Sequence, residues 1–247
     1  MLVLGLETAT PACSVALVDD RGLVAESTLV AGPVHSERLM PMVEQLLEGA
    51  GVERREIGGL AVSRGPGSFT GLRIGIATAK ALAYAWGRPL VGIPTLDALA
   101  FNAGPVNAVI YPLLEARRGE VYTAAYRGGE GVPRRLGDYR LTTVEKLLEE
   151  LEKGQEGLDR PPEPVMFLGE AAEARLELLR AALGTRLLVP PRITAWPRAG
   201  SVAELGWREL RAGRGMDALP LRPIYLRPSE AEILWQRKHG KSPGLRS

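Results

Sequence analysis

Residues 2–29 read LVLGLETATPACSVALVDDRGLVAESTL, and this stretch decides the fold. The apolar run from Leu2 to Leu6 predicts a short buried strand. The run from Cys13 to Val18 predicts a second strand, and the Asp-Asp-Arg-Gly sequence after it has the composition of a hairpin turn. With a third strand over residues 23–29, the sequence predicts a three-stranded meander.

The elements that follow alternate between helices and strands. Apolar residues at steps of three and four predict a helix over about 36–50, in which Pro41 predicts a kink or a later start. A strand over 57–63, a helix over 68–86 and a strand over 90–93 come next. This order of meander, helix, strand, helix and strand is typical of one lobe of a duplicated α/β protein.

A looser copy of the same order begins after residues 103–105, where Ala-Gly-Pro predicts a hinge. We expect paired strands over 106–115 and 120–126, then a helix, a strand over 165–169 and two further helices. The second lobe is therefore expected to be smaller and degenerate, and the C-terminal segment to pack back on the first lobe. The predicted domain limits are 1–103, 104–215 and 216–247.

Composition indicates an ordinary globular protein. Of its 247 residues 45% are hydrophobic and 24% are charged, and the net charge of +2 is too small to indicate nucleic-acid binding by itself. One cysteine, Cys13, excludes an internal disulfide, and two distant histidines, His35 and His239, predict no metal site. No apolar leader opens the chain and no run spans a bilayer, so we expect a cytoplasmic protein with no membrane association.

The strongest local signal is the run GPGSFTGLR at residues 65–73, between a predicted strand and a predicted helix. Glycines permit a tight turn, and free amides at a helix start can bind a phosphate. The run lacks the Gly-Lys-Ser/Thr ending of a Walker loop, so a plain glycine-rich connector stays open as the alternative. Weak nucleotide or phosphate contact is predicted for six residues of this run and the first hairpin: Thr8, Thr10, Ser14, Gly65, Gly67 and Ser68.

The helix after this run has very few charges. Only Arg73 and Lys80 are charged, although a helix that covers a sheet normally turns a polar face to water. A ridge of small residues falls at every fourth position, formed by Gly71, Gly75, Ala79 and Ala83. Burial between the chain's own sheet and its second lobe would explain this helix, but we favour packing against another subunit.

The predicted subunit interface joins this helix to the apolar stripe of the helix over 36–50. Its predicted contact residues are Leu39, Met42, Val43, Leu46, Leu72, Gly75, Ile76, Ala79, Ala83 and Trp86. We expect arginine at Ala79 or Ala83 to abolish pairing while the chain stays folded, because a large charged side chain obstructs a close helix contact.

Other candidate groups do not form a catalytic set. Cys13 has only His35 as a base nearby in sequence, so it is interpreted as a small buried hydrophobe. His35 itself is interpreted as part of a helix start, because no Asp partner for a triad is evident. These residues therefore predict no nucleophilic catalysis.

Two charged regions remain. Glu115, Arg117, Glu120 and Tyr122 form either an ionic turn cluster, which we favour, or a functional edge. The tail from Trp235 onward holds four basic residues and no acid. It is interpreted as a solvated terminus, and contact with RNA phosphates stays open as the alternative.

Taken together, these residues resemble the TsaB (YeaZ) family, the dimerisation subunit of the bacterial machinery that makes tRNA threonylcarbamoyladenosine. The resemblance is carried by residues 4–10, 13–17, 35–39 and 65–75, and more weakly by 115–122 and 223–227. It is dense over residues 1–100 and sparse beyond. It implies an α/β fold of the actin-like class, with duplicated ribonuclease H-like lobes related to Hsp70 and sugar kinases.

The resemblance also implies partners. It implies a heterodimer with a TsaD-type transferase, which moves a threonylcarbamoyl group onto the adenosine beside the anticodon, and recruitment of a TsaE-type ATPase. The chain would reach tRNA only indirectly, through that complex. The transferase's metal-binding histidines, four residues apart on a helix, have no counterpart here, because Leu39 follows His35 at that spacing. The resemblance thus implies a non-catalytic scaffold that requires no cofactor.

Two other functions stay open at this point. A small actin-like ATPase or sugar kinase would use the first hairpin and the loop over 65–71, and weak or interfacial ATP or ADP binding stays open with it. The acid at the end of the first strand is Glu7, where the family often has Asp. A homodimeric structural protein would use the same helical face with a second copy.

Overall fold

The computed structural model describes residues 1–30, 32, 35–154, 163–217 and 219–227. Its first sheet has five strands: β1 (Leu2–Glu7), β2 (Ala12–Asp19), β3 (Gly22–Val30), β4 (Ile57–Ser63) and β5 (Leu90–Ile93). They lie in the order β3-β2-β1-β4-β5. The first three strands form the predicted antiparallel meander, and β4 and β5 continue the sheet in parallel with β1.

Helices cover both faces of this sheet. The elements involved are α1 (His35–Ala50), α2 (Phe69–Trp86), α3 (Thr95–Phe101) and α7 (Ala199–Arg211). Alternate residues of β1 face opposite layers, so Leu4 and Leu6 join the core beneath α1 and α2, whereas Val3 packs towards α7. Helix α1 begins at His35 and continues through Pro41, so the later start that Pro41 suggested is not observed.

The packing of α7 differs from the predicted domain limits, which place it in the second lobe. The helix lies across β1, β2 and β4 of the first sheet. Small residues permit this close approach: a Cβ at Gly5 would collide with Ala203, and a Cβ at Gly206 would collide with Ala61. The chain therefore returns to the first lobe before residue 215.

Residues 219–227, here termed the C-terminal strap, also lie on the first lobe. Leu221 is buried in the core that contains α1 and α2. Ile224 donates its backbone N–H to a carbonyl in the loop after β4 at 2.6 Å. Farther along, Arg227 lies 3.4 Å from Glu120 of the second lobe. The strap thus connects the two lobes.

The second lobe contains two small sheets. One has the order β10-β9-β6-β12-β13 and the other β11-β8-β7. Their strands are β6 (Val109–Pro112), β7 (Leu114–Glu115), β8 (Val121–Thr123), β9 (Tyr126–Arg127), β10 (Arg134–Arg135), β11 (Arg140–Thr142), β12 (Val165–Leu168) and β13 (Leu187–Leu188). Each strand predicted over 106–115 and 120–126 is divided between the two sheets. Pro112 has no N–H with which to extend its ladder, and the chain changes sheets just after it.

Three helices complete this lobe: α4 (Val144–Lys153), α5 (Glu170–Glu173) and α6 (Leu176–Leu183). The first of the two helices predicted after the strand over 165–169 is therefore interrupted, because it is divided into α5 and α6. The helices pack with β6 and β12 in a second apolar core. Across the described ranges, none of the helices has the length and apolar character needed to cross a membrane.

Candidate docking face and first hairpin

Helix α2 has well-defined ends. The Ser68 hydroxyl caps its start by accepting a hydrogen bond from the Gly71 N–H at 3.2 Å. The helix ends at Trp86, where Gly87 takes a left-handed φ of 60°. It packs on β4 and contacts α1, so it has an inner side towards the core and an outer side towards solvent.

The inner side of α2 carries the ridge of small residues that the sequence assigned to a partner. Nine of the ten predicted interface residues are buried within the chain itself, and Trp86 is half-buried. The nine are Leu39, Met42, Val43, Leu46, Leu72, Gly75, Ile76, Ala79 and Ala83. Their burial corrects the prediction, because a side chain enclosed by its own fold cannot contact another subunit. It also means that arginine at Ala79 or Ala83 would disrupt the fold.

The outer side of α2 carries a second series of small residues. Ala77, Ala81 and Ala85 are exposed, and the Tyr84 side chain among them is 85% exposed. These four residues are termed the α2 outer face. A large aromatic side chain among alanines offers apolar contact area without charges to desolvate, which suits helix packing against a partner.

Glycines at the start of α2 and just before it allow the chain to pack closely against the first hairpin. A Cβ at Gly71 would collide with the Thr8 carbonyl oxygen, and a Cβ at Gly67 with the Ala9 carbonyl oxygen. The Thr8 hydroxyl donates to the Gly71 carbonyl at 2.8 Å, and the Ser68 N–H donates to the Ala9 carbonyl at 2.7 Å. The start of α2 therefore packs directly on the hairpin tip.

The remaining hairpin groups also have partners within the chain. His35 donates from Nε2 to the Thr10 carbonyl at 2.8 Å. The Ser14 hydroxyl lies 2.7 Å from the Thr28 hydroxyl and accepts a hydrogen bond from the Ala199 N–H at 3.1 Å. Ser14 is thus directed towards α7, away from the glycine-rich loop.

Of the six predicted phosphate contacts, the structure brings Thr8, Gly67 and Ser68 together at the hairpin tip. Gly65 instead lies against the strap, where a Cβ would come within 2.6 Å of the Ile224 carbonyl oxygen. Close backbone contacts within the monomer therefore explain why glycine is needed at these positions. Nucleotide contact at these residues stays a prediction.

Glu7 ends β1 and is fully buried. Its Oε1 accepts a hydrogen bond from the Ala9 N–H at 2.5 Å. Burial raises the pKa of Glu7 from 4.5 to about 7, against the lowering effect of the Ala9 N–H and the Ser63 hydroxyl. The carboxyl is therefore close to half-protonated at neutral pH.

Cys13 is also buried, as its interpretation as a small hydrophobe requires. Burial and then the Glu7 charge raise its pKa to about 11, so the thiol is protonated at neutral pH. In the ranges that the structure describes, no three His, Cys, Asp or Glu side chains are grouped as a metal site requires.

The turn around residues 117–119 is held by ion pairs. Arg175 bonds both oxygens of Glu115, at 2.7 and 3.1 Å, and Glu120 pairs with Arg227 of the strap. Tyr122 is half-buried, and burial raises its pKa. This arrangement fits the ionic-turn interpretation.

Sequence reasoning missed the contacts between the strap and α2. The Tyr225 ring lies 4.9 Å from the Phe69 ring, and the Arg73 guanidinium lies 3.9 Å from the centre of the Phe69 ring. Arg73 also donates to the Tyr225 hydroxyl at 3.4 Å. The aromatic and basic composition of residues 223–227 was the only available signal.

The paired α/β lobes, with a hairpin meander opening the first, define the actin-like fold class. Component A of the Acidaminococcus fermentans (R)-2-hydroxyglutaryl-CoA dehydratase shares this fold, with a TM-score of 0.50 at 11% identity over 85% of this chain and 99% of that one. An uncharacterized Pseudomonas aeruginosa protein with similarity to peptidase YeaZ gives 0.75 at 28% identity, over 92% and 99% of the two chains. The predicted fold class is confirmed.

Sequence comparison gives the family. The TsaD family model, tRNA N6-adenosine threonylcarbamoyltransferase, matches residues 29–235. The tRNA threonylcarbamoyladenosine biosynthesis protein TsaB of Bacillus subtilis is 32% identical over 235 residues, which are 95% of this chain and 98% of that protein. The chain belongs to the TsaB family, as its motifs predicted.

Proposed function

We propose that this chain acts in tRNA threonylcarbamoyladenosine biosynthesis as a non-catalytic subunit that pairs with a TsaD-type threonylcarbamoyl transferase. One observation carries the pairing: the α2 outer face leaves Tyr84 at 85% exposure among exposed alanines. Aromatic residues at the centre of a patch contribute strongly to association when a partner covers them.

Similarity to the transferase supports this choice of partner. The transferase family model spans residues 29–235, which include all of α1 and α2. A paralogous subunit would present an equivalent pair of helices, and related surfaces pair readily about a pseudo-two-fold axis. The proposal includes recruitment of a TsaE-type ATPase to the pair, with tRNA bound through the complex.

The first hairpin supports a non-catalytic role. The hydroxyls of Thr8 and Ser14 bond within the chain, and Gly71 and Gly67 hold the hairpin tip against backbone of the same lobe. The sequence also lacks a second histidine four residues from His35. We therefore propose that the chain supplies no reacting group and needs no nucleotide, and that any ATP or ADP lies at the subunit boundary.

The test is light scattering after size-exclusion chromatography, with the transferase of the same organism. The wild-type chain should form a one-to-one complex, and the mixture alone should modify tRNA. Ala81→Arg should weaken pairing at least 100-fold, because it places a charge in the contact. Ala182→Arg is the matched control, since Ala182 is exposed on α6 in the second lobe.

A complex that tolerates Ala81→Arg would contradict the docking assignment. Absence of any complex, with or without nucleotide, would contradict the pairing itself. The alternative of a small ATPase or sugar kinase has its own test, in which calorimetry measures Mg-ATP binding to the isolated chain. Micromolar affinity there would favour the enzyme.

A further inference from the structure

The second lobe has an apolar pocket at the carboxyl ends of the parallel strands β12 and β13. Its volume is about 500 Å³, within the range of roughly 300–1,000 Å³ that is usual for pockets that bind a ligand. The end of β12, the helices α5 and α6 and the chain after β13 form its walls. Most of its lining is apolar, including Phe167, Leu179, Leu187, Val189 and Pro190. Ligands of α/β sheets commonly bind at this end of the strands.

Apolar side chains at this pocket are in contact with solvent. Val189 lines the pocket and is 51% exposed. Ile193 lies between the lining residues Arg192 and Thr194 and is 75% exposed. Exposed apolar groups around a pocket indicate a surface that another group covers.

The C-terminal strap ends at the same edge of the second lobe. Its last residue, Arg227, lies 3.4 Å from Glu120, which directly precedes β8. Strand β8 pairs with β7, where the Glu115 N–H donates to the Glu170 carboxylate at 3.0 Å. Glu170 begins α5 and lines the pocket. Arg227 is therefore only a few successive contacts from the pocket, and the next six residues can span about 20 Å when extended.

The sequence after Arg227 supplies a segment with matching chemistry. Residues 228–247 lie outside the described residues, and they include the consecutive apolar residues Ile233, Leu234 and Trp235. This run begins six positions beyond Arg227, within reach of the pocket. One aromatic and two branched aliphatic side chains gain several kcal/mol when they leave water, at about 1.5–3 kcal/mol each.

The charges beside the pocket and beside this run are also complementary. Arg192 and Glu173 line the pocket, and their side chains are 93% and 41% exposed. In the sequence, Glu232 directly precedes the apolar run and Arg237 follows it by two positions. The acid and the base of the segment can thus meet a base and an acid of the pocket.

We infer that residues 233–235 dock in the second-lobe pocket of the same chain. Such docking needs little intrinsic affinity, because a short connection raises the effective concentration of the segment to about the millimolar range. The pocket is lined by neither α1 nor α2, so the inference is independent of the proposed pairing with a transferase. Docking would also hold the basic residues after Trp235 close to the second lobe.

Fluorine NMR of the full chain labelled with 5-fluorotryptophan tests the docking, without transferase. The chain has four tryptophans, so the resonance that is lost in Trp235→Phe belongs to Trp235. In the wild type this resonance should differ from that of a labelled peptide of residues 228–247. Val189→Arg should move it to the position of the free peptide, because the arginine places a charge in the pocket. Val132→Arg is the matched control and should leave it in place, since Val132 is 43% exposed and precedes β10 at the opposite edge of the sheet.

The same labelled peptide gives a second measurement. A full chain that carries serine at positions 233, 234 and 235 leaves the pocket to the peptide, which should bind with a Kd of about 1 mM or less. Adding Val189→Arg to this chain should weaken the binding at least tenfold, whereas Val132→Arg should not. Thermal unfolding of each variant establishes that the chain is folded.

A Trp235 resonance at the free-peptide position in the wild type would overturn the inference, as would one that Val189→Arg leaves unmoved. A resonance position that depends on protein concentration would assign the pocket to the segment of a second copy and also overturn it. Mg-ATP binding that Val189→Arg abolishes, with Trp235 free in the wild type, would assign the pocket to a nucleotide instead. The pairing with the transferase is judged separately by Ala81→Arg.

Discussion

The two sides of helix α2 have similar compositions and different surroundings. Small residues recur every four positions on both sides: Gly71, Gly75, Ala79 and Ala83 inside, and Ala77, Ala81 and Ala85 outside. The inner series is small because the hairpin backbone and the sheet lie directly against it. The outer series has no such neighbour among the residues that the structure describes. Small side chains permit a close contact on both sides, and the outer side is the one that we propose for a partner subunit.

The largest expected effect is the difference in stability between Ala79→Arg and Ala81→Arg. If the two variants were equally stable, the distinction between the inner and outer sides of α2 would fail. Ala79 is fully buried, so the arginine lacks both space and a partner for its charge, and the free energy of unfolding should fall by more than about 4 kcal/mol. Ala81→Arg should change it by less than about 0.5 kcal/mol. Urea denaturation measures both, and equal stabilities would contradict the assignment of inner and outer sides.

Gly71→Ala tests the reason for the inner glycines. Its methyl group would collide with the Thr8 carbonyl, so unfolding should require about 3 kcal/mol less. Gly49→Ala is the control, because Gly49 lies in α1 with no atom near its would-be Cβ, and it should gain about 0.5–1 kcal/mol. A neutral Gly71→Ala would mean that the hairpin and α2 are not in contact as described.

Glu7→Gln tests the burial of the first hairpin, which the inner side of α2 covers. Below pH 4.5 Glu7 is protonated in both states. Between pH 4.5 and about 7 the folded state keeps the proton and the unfolded state loses it, so stability falls as pH rises through this range. At pH 8 the variant should therefore be about 3 kcal/mol more stable than the wild type, because the pKa of Glu7 is raised from 4.5 to about 7 in the folded state.

The pH dependence of that difference is the decisive measurement. Urea denaturation between pH 4 and 8 should show the advantage of Glu7→Gln growing with pH and nearly absent at pH 4. Thr28→Val, which removes a hydroxyl near Ser14 but no titrating group, is the control and should give a difference independent of pH. An advantage for Glu7→Gln that is equally large at pH 4 would contradict the raised pKa of this carboxyl.

Much of the first lobe could be predicted because its signals are local. Apolar runs and turn residues located the meander, and Ser68 and Gly87 mark the ends of α2 at its observed limits. The second lobe was harder because β7, β9, β10 and β13 have only two residues each, too few for a periodic pattern. Its strands are defined by their neighbours in the sheets.

Prediction of the candidate docking face from the sequence had a similar limit. The sequence predicted that α2 contacts another subunit, and it assigned that contact to Ala79 and Ala83, which face the core. A four-residue repeat gives the spacing of a stripe along a helix but not the direction in which that stripe faces. When both sides carry small residues, the position of the sheet decides which side is buried.

By itself the sequence determined the α/β class, the meander, the family and the low charge of α2, because each depends on residues that are close together along the chain. Only the tertiary structure decided that α7 and the strap return to the first lobe, that the hairpin hydroxyls bond internally, and that Lys80 bonds to Leu219 of the strap. The contact of Ser14 with Ala199 joins residues 185 positions apart, and that of Lys80 with Leu219 joins residues 139 positions apart. No local pattern records such pairs, since they form only when packing of the apolar cores brings distant segments together.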